Sequence, residues 1–143
     1  MKEAKDAALF DPQDLRPRRV LASVATEEGR AFHTTYGEHE REERTLLAMD
    51  PPKDREDRWK RDSAIKLAST MRGAAWSQAV LAFHGALTHD PDQDEARAAL
   101  AGLYLEEFVR AEAQRDAART GQYRPLVEQY GDREMRQRLQ GEK

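Results

Sequence analysis

The six prolines of this chain fall at four places, and they divide its 143 residues into long intervals without a helix breaker. They stand at positions 12 and 17, 51 and 52, 91, and 125. Proline lacks a backbone N–H and clashes with the preceding helical turn, so each group marks a start or an end of a helix. The intervals between the groups are free to form helices much longer than average. Pro125 is expected in the first turn of a short helix.

Apolar residues recur at helical spacing within these intervals. In the first of them, Val20, Leu21 and Val24 begin a stripe that continues to Leu47. No segment alternates like a half-buried strand, so the predicted fold class is all-α, built from long antiparallel helices with two short C-terminal helices. Whether the first helix is continuous through the polar run EHEREER, residues 38–44, stays open. Helices are predicted over residues 15–49, 53–89, 93–120, 124–130 and 132–140, with residues 1–12 as the end of a preceding helix.

The chain is rich in charge for its apolar content. Charged residues make up 36% of it and hydrophobic residues 38%, whereas about 25% charged is typical of a globular protein. Such a composition supports only a thin core, in which each helix buries one stripe. It disfavours a compact α/β enzyme, which needs strand-like runs of Val and Ile.

Charges of both signs are interspersed, and the formal net charge is only −3. No basic patch therefore favours nucleic acid. The chain has no cysteine, which excludes disulfides and thiolate metal sites. The first residues lack the apolar core of a secretory signal, and no apolar stretch is long enough to span a bilayer. We expect a soluble cytoplasmic domain that neither binds nucleic acid nor inserts into a membrane.

Residues on either side of the Asp90–Pro91 turn follow a recognisable order of small, aromatic and proline positions. The first unit contains Ala79, Phe83, Ala86 and Pro91, and the next contains Leu100, Ala101, Tyr104 and Ala113. Small residues let paired helices approach, and the aromatic side chain fills the gap between neighbouring pairs. This order resembles the tetratricopeptide repeat, which implies an array of helix pairs. An unrelated helical bundle is the alternative, because amphipathic hairpins share such spacings.

A segment near the start of the chain echoes this pattern. The run DAALFDPQDLRPRRVLAS, residues 6–23, matches GALTHDPDQDEARAALAG, residues 85–102, at several apolar, Asp and Pro positions. The echo predicts that residues 1–12 form the last turns of a helix, and that residues 1–143 are one helical-repeat domain from a larger protein. The distance between the two copies exceeds a standard unit of about 34 residues, so the helices between them must be longer than normal.

Three ordered motifs occupy the second half of the chain. They consist of Leu103, Tyr104, Phe108, Ala111 and Glu112, then Tyr123, Leu126, Val127 and Tyr130, then Arg138, Leu139, Gly141 and Glu142. Upstream, LLAMDPPKDREDRWKRDSA combines a proline-containing connection with a basic, Trp-bearing helix start. Together, over residues 46–143, these motifs resemble the helical region that follows the catalytic domain in large bacterial serine/threonine protein kinases of deltaproteobacterial type.

The resemblance implies an accessory region of a signalling kinase, without phosphotransfer in this chain. The sequence has no Gly-rich nucleotide loop, no HRD catalytic loop and no DFG motif. The pairs His33 and His39, and His84 and His89, do not have the i, i+4 spacing that brings two metal ligands together on one helix face. No catalytic residue, metal site or cofactor is therefore predicted.

The tetratricopeptide resemblance also implies a concave binding face on the helix over residues 94–107. The predicted partner-binding residues on that face are Glu95, Ala98, Gly102, Leu105 and Glu106. Small residues next to acids suit a basic or extended peptide, with a solvated surface as the alternative. Trp59, in the charged run KDREDRWKRD, is a further candidate anchor for a partner, whereas Trp76 in an Ala-rich stripe is expected in the core.

Two hypotheses for the function follow. The first is a non-catalytic helical-repeat module that mediates protein–protein interaction, or sets domain spacing, in a bacterial signalling protein such as a serine/threonine kinase. Its partner is a protein or peptide, including flanking domains of the same parent chain. The alternative is a self-associating structural bundle, in which the stripes over residues 20–47 and 59–87 pair with copies of themselves.

Overall fold

The computed structural model describes residues 16–140, which form five helices and no strand. The helices are α1 (Arg16–Ala48), α2 (Arg55–His89), α3 (Asp94–Ala113), α4 (Ala117–Tyr130) and α5 (Arg133–Leu139). The all-α class is confirmed for this part of the chain. The predicted helix end at residues 1–12 lies outside the described residues.

Helices α1 and α2 form a long antiparallel hairpin, and α1 is continuous through residues 38–44. The hairpin is tight because its contact faces consist largely of small residues, among them Ala22 and Ala79, both fully buried. At Gly29 the backbone approaches the ring of Phe83 so closely that a Cβ atom there would lie 2.6 Å from the ring. Glycine is therefore required at this position for the observed helix separation.

The apolar stripe predicted for the first helix is only partly correct. Val20, Leu21 and Val24 are exposed by 63%, 50% and 53%, while Thr26 and Tyr36 are buried. Thr26 tolerates burial because its hydroxyl donates to the carbonyl of Ala22 at 2.7 Å. The stripe was predicted from hydrophobicity alone. The face of α1 that packs against α2 is instead the one with small side chains, such as Ala22 and Gly29.

Side chains secure the connection between α1 and α2. Asp54 precedes α2, and its carboxylate accepts a hydrogen bond from the backbone N–H of Glu56. The guanidinium of Arg61 donates to the carbonyl oxygens of Leu46 at 3.2 Å and Met49 at 3.3 Å. These carbonyls lie at the C-terminal end of α1, where no intrahelical partner is available, so Arg61 caps one helix from the other.

The third predicted helix, over residues 93–120, ends earlier than expected. Arg115 has a positive φ of 54°, and the N–H of Asp116 donates to the carbonyl of Ala111 at 2.9 Å. This closes α3, and the Asp116 carboxylate then accepts from the N–H of Arg119 to start α4. Sequence reasoning placed the stop at Gly121 because glycine is the usual residue at positive φ.

Pro125 lies inside α4, and not in the first turn of a short helix over residues 124–130 as predicted. The helix persists across the proline because Tyr123 and Val127, on either side of it, are buried in the core. Tertiary packing of an apolar face outweighs the single hydrogen bond that Pro125 cannot donate.

Arg115 provides a direct test of the chain reversal between α3 and α4. We expect Arg115→Gly to raise the free energy of unfolding by about 1 kcal/mol, because a residue with a Cβ atom is strained at positive φ and glycine is not. The measurement is urea denaturation followed by circular dichroism. Arg115→Ala is the matched control and should give no gain, since it removes the charge and retains Cβ.

An aromatic cluster joins α2, α3 and α4. Trp76 is packed edge-on against Tyr104 and Tyr123, and its indole N–H donates to the carbonyl of Leu103 at 3.2 Å. The ring of His84 makes a 2.8 Å hydrogen bond with the Tyr104 hydroxyl, and burial lowers the pKa of this histidine. The predicted packing role of Trp76 is consistent with these contacts, and α3 becomes the central helix of the fold.

Candidate functional site

A groove of about 540 Å³ lies between α1 and α3. Ligand sites in proteins typically measure about 300 to 1,000 Å³. The groove combines an apolar wall with several charged groups. Its lining residues are Tyr36, Glu40, Leu105, Glu106, Val109, Arg110, Ala113 and Gln114.

Ion pairs between α1 and α3 hold the two sides of the groove together. Among them are Arg30–Glu95, His33–Glu106 and Arg110–Glu40. The His33 and Arg110 pairs span 3.7 and 3.8 Å. Residue numbers rise together along both helices, so α1 and α3 run in the same direction, as expected when α2 connects them through two reversals.

A network of buried charges lies next to the groove and fixes the position of Arg110. Glu107, only 3% exposed, accepts from Arg72 at 3.4 Å and from Arg119 at 3.3 Å. Arg72 also donates to Glu43 at 3.0 Å. The guanidinium of Arg110 lies 3.7 Å from Glu43 and 3.8 Å from Glu107. The network joins α1, α2 and α3 through charged groups with little access to solvent, and Arg119, 43% exposed, extends it to α4.

Two polar atoms at the groove are buried without a hydrogen bond. Within residues 16–140, the hydroxyl of Tyr36 and Nε of Arg110 have no hydrogen-bond partner. Burial raises the pKa of the Tyr36 hydroxyl, and the nearby Glu106 carboxylate raises it further. The neighbouring Arg110 guanidinium lowers this pKa but does not outweigh the rise, so the hydroxyl is neutral at physiological pH. Tyr36 and Arg110 therefore form the buried floor beside the groove.

His33 lies at the edge of the groove, where its interaction with Glu106 raises the pKa of the imidazole and burial opposes that rise. The pair is half exposed, with side-chain exposures of 35% for His33 and 43% for Glu106. Pairs of this kind contribute little stability. Glu106 is therefore available to a ligand at little energetic cost.

The apolar wall of the groove belongs to α3. Leu105, Val109 and Ala113 follow one another at intervals of one helical turn, and Val109 is 55% exposed. The lining includes neither a nucleophile beside a base nor a set of metal ligands, and the described residues contain no cluster of three or more His, Cys, Asp or Glu arranged to hold a metal ion. The arrangement is suited to binding an amphipathic chain segment.

The predicted partner-binding residues fall at different places in the fold. Leu105 and Glu106 line the groove. Glu95 is exposed and paired with Arg30, and Ala98 and Gly102 lie on α3 but outside the groove lining. Trp59 is 68% exposed on α2, which contributes no residue to the groove.

Sequence reasoning missed most of the groove. The α1 side, Tyr36 and Glu40, depends on the approach of α1 to α3, which no sequence pattern indicates. The α3 side carried a usable signal, since two adjacent rows repeat at i, i+4 and i+8. These rows are Leu105, Val109 and Ala113, and Glu106, Arg110 and Gln114.

Comparison of the chain with protein-family models, with curated proteins and with solved structures gives no match. Among the helices over residues 16–140, none combines the length and the apolar character needed to cross a membrane.

Proposed function

We propose that this chain is a non-catalytic helical module of protein–protein interaction that binds an extended peptide segment in the groove between α1 and α3. The observation that supports this proposal is the combination, in one groove, of an apolar wall and accessible carboxylates. Leu105 and Val109 offer contact area to an aliphatic side chain, and the half-exposed carboxylate of Glu106 offers a hydrogen-bond acceptor beside them. Peptide recognition generally pairs such apolar contacts with a few placed polar groups.

The charged side chains that line the groove indicate which kind of peptide it binds. Glu40 and Glu106 supply two carboxylates to the groove. Glu40 is already paired with Arg44 and Arg110, whereas Glu106 faces the half-exposed His33. The Glu106 carboxylate therefore favours a ligand with a basic side chain next to an aliphatic one. Complementary charge adds specificity and speeds association more than it adds affinity.

The proposed context is a bacterial signalling protein. The resemblance of residues 46–143 to the region after the catalytic domain of large serine/threonine kinases supports an accessory role in such a protein. A module of this kind either binds a partner or sets the distance between flanking domains of the same chain. Tetratricopeptide-like packing belongs to this proposal, and the parallel course of α1 and α3 on either side of the groove supports it.

The groove is tested with two fluorescent peptides, one alternating lysine with leucine and the other alternating glutamate with leucine. We expect fluorescence anisotropy to show binding of the lysine peptide only. Reversing one groove charge with Glu106→Lys should weaken that binding by at least about tenfold, a loss of about 1.4 kcal/mol.

Glu128→Lys is the matched control, because Glu128 is an exposed acid on α4 that does not line the groove. It makes the same change in net charge and should leave the affinity within about twofold of the unsubstituted chain. Equal affinity for both peptides, or an equal loss in both variants, would show that binding is non-specific and would contradict the proposal.

A further inference from the structure

The outer face of α2 carries no charge over most of its length. The run from residue 63 to residue 88 contains only two charged residues, Lys66 and Arg72, in a chain that is 36% charged. Arg72 belongs to the buried network, and Lys66 lies in a cleft with Glu43 and Leu47 of α1. The outer face of α2 is Ser63, Leu67, Thr70, Met71, Ala74, Ser77, Gln78, Leu81, Gly85 and Thr88.

This face is accessible and partly apolar. Leu67, Met71 and Leu81 are 64%, 44% and 72% exposed. A solvated helix face in a highly charged protein normally carries Glu, Lys or Arg, which interfaces exclude from their centre. The absence of charge along this face indicates a surface that is covered by a partner.

The two leucines of the face are placed symmetrically about Ala74. Leu67 and Leu81 lie two helical turns from it on either side, so an antiparallel copy centred on Ala74 places each Leu67 against Leu81 of the other copy. The small side chain of Ala74 lets the two helices approach at their crossing point. The other pairs in this register are Met71 with Ser77, Thr70 with Gln78, and Ser63 with Gly85.

We propose that two copies of this chain associate through the outer face of α2, in an antiparallel arrangement with its two-fold axis at Ala74. An isologous interface requires a face that is complementary to itself, and this face is uncharged, places Leu67 against Leu81, and sets the larger Met71 against the smaller Ser77. A partner with a strongly charged surface would gain nothing here and would lose hydration.

The area of the face limits the affinity of the two copies for each other. In this register residues 63–85 face each other, so 22 residue steps give an overlap about 33 Å long and about 10 Å wide, and two copies bury roughly 660 Å² as a planar estimate. Stable specific interfaces bury about 1,200 to 2,000 Å². The dimer is therefore reversible and dissociates on dilution. It is independent of peptide binding, because the groove is formed by α1 and α3.

The stripes that the self-association hypothesis paired between copies are divided between two surfaces in the structure. In the second stripe Ala79 and Phe83 are buried, whereas Leu67 and Met71 are exposed on the outer face of α2. Residues 20–47 and 59–87 lie in α1 and α2, whose inner faces pack on each other within one chain. Those inner faces are consequently occupied. The proposed dimer uses the opposite side of α2.

Disulfide trapping tests the proposal cleanly, because the chain has no native cysteine. We expect Ala74→Cys to form a disulfide-linked dimer under mild oxidation, since the two copies of this residue meet at the axis. Leu67→Cys is the matched exposed control. Its two copies lie about 21 Å apart in the antiparallel arrangement, beyond the roughly 7 Å between Cα atoms that a disulfide allows.

Light scattering across about a hundredfold concentration range supplies the second measurement. We expect the mass to rise from 16.4 kDa towards twice that value, and we expect Leu81→Glu to raise the dissociation constant by at least about tenfold. A monomer at every concentration, with no trapped Ala74→Cys dimer, would overturn the proposal. Trapping of both cysteine variants would overturn the antiparallel arrangement.

Discussion

Phe83→Ala is expected to lower the free energy of unfolding by about 3 to 5 kcal/mol, the usual cost of removing a fully buried aromatic ring. Phe83 has no solvent exposure, and it belongs to the core cluster to which all five helices contribute. A domain of this size has only about 5 to 15 kcal/mol of stability in total. The thin core cannot compensate, so the variant should unfold at a much lower urea concentration than the unsubstituted chain.

The contact between Phe83 and Gly29 makes this prediction specific. Gly29→Ala alone should destabilise by about 1 to 3 kcal/mol, because the added Cβ meets ring atoms at 2.6 to 2.8 Å. In the Phe83→Ala background the same change should be neutral or stabilising, since the ring is gone and alanine favours the helix. Additive effects in this double-mutant cycle would contradict the close approach of α1 and α2.

Leu47→Ala is the control for these core substitutions. Leu47 is 57% exposed on α1, so its truncation should change the free energy of unfolding by no more than about 0.5 kcal/mol. A loss as large as that of Phe83→Ala would show that stability does not depend on the hairpin core described above.

Glu107→Gln is expected to produce the second large effect, a loss of about 3 kcal/mol in the free energy of unfolding. The substitution retains the size of the side chain and removes the charge that faces Arg72, Arg110 and Arg119. Arg72 then lies in a nearly dry environment with Glu43 as its remaining carboxylate partner. Urea denaturation monitored by circular dichroism measures the loss, which should persist at high salt because buried charges are weakly screened.

The matched control is Glu56→Gln, which removes a carboxylate from an exposed pair with Lys60 at the start of α2. Exposed pairs of this spacing contribute about 0.3 to 0.5 kcal/mol. If Glu107→Gln were no more damaging than Glu56→Gln, the buried network would not hold the four helices together. The position of Arg110 beside the groove would then need another cause.

The helical class of the fold could be predicted because proline positions and apolar spacing act locally. The boundary between α3 and α4 could not, since it depends on Arg115 at a positive φ and on a proline tolerated inside α4. Local rules predict glycine at a residue with positive φ, such as Arg115, and a helix start at a proline, such as Pro125. Burial of Tyr123 and Val127 against α3 decides the outcome, and that burial is a tertiary effect.

The candidate site was predictable to a smaller degree. Leu105 and Glu106 were named because a repeat pattern placed them on the concave side of their helix, and both line the groove. Tyr36 and Glu40 come from a helix far away in sequence, so their approach depends on how the α1–α2 hairpin packs against α3. The same limit applies to Val20, Leu21 and Val24, which the stripe assigned to a buried face and which the helix exposes.

The most direct test of the central claim is a titration of the isotope-labelled chain with the alternating lysine–leucine peptide, followed residue by residue by NMR. We expect saturable shifts confined to amides of α1 around Tyr36 and Glu40 and of α3 around Leu105 to Arg110. Shifts confined to the outer face of α2, or no saturable shift at any residue, would contradict binding in the groove between α1 and α3.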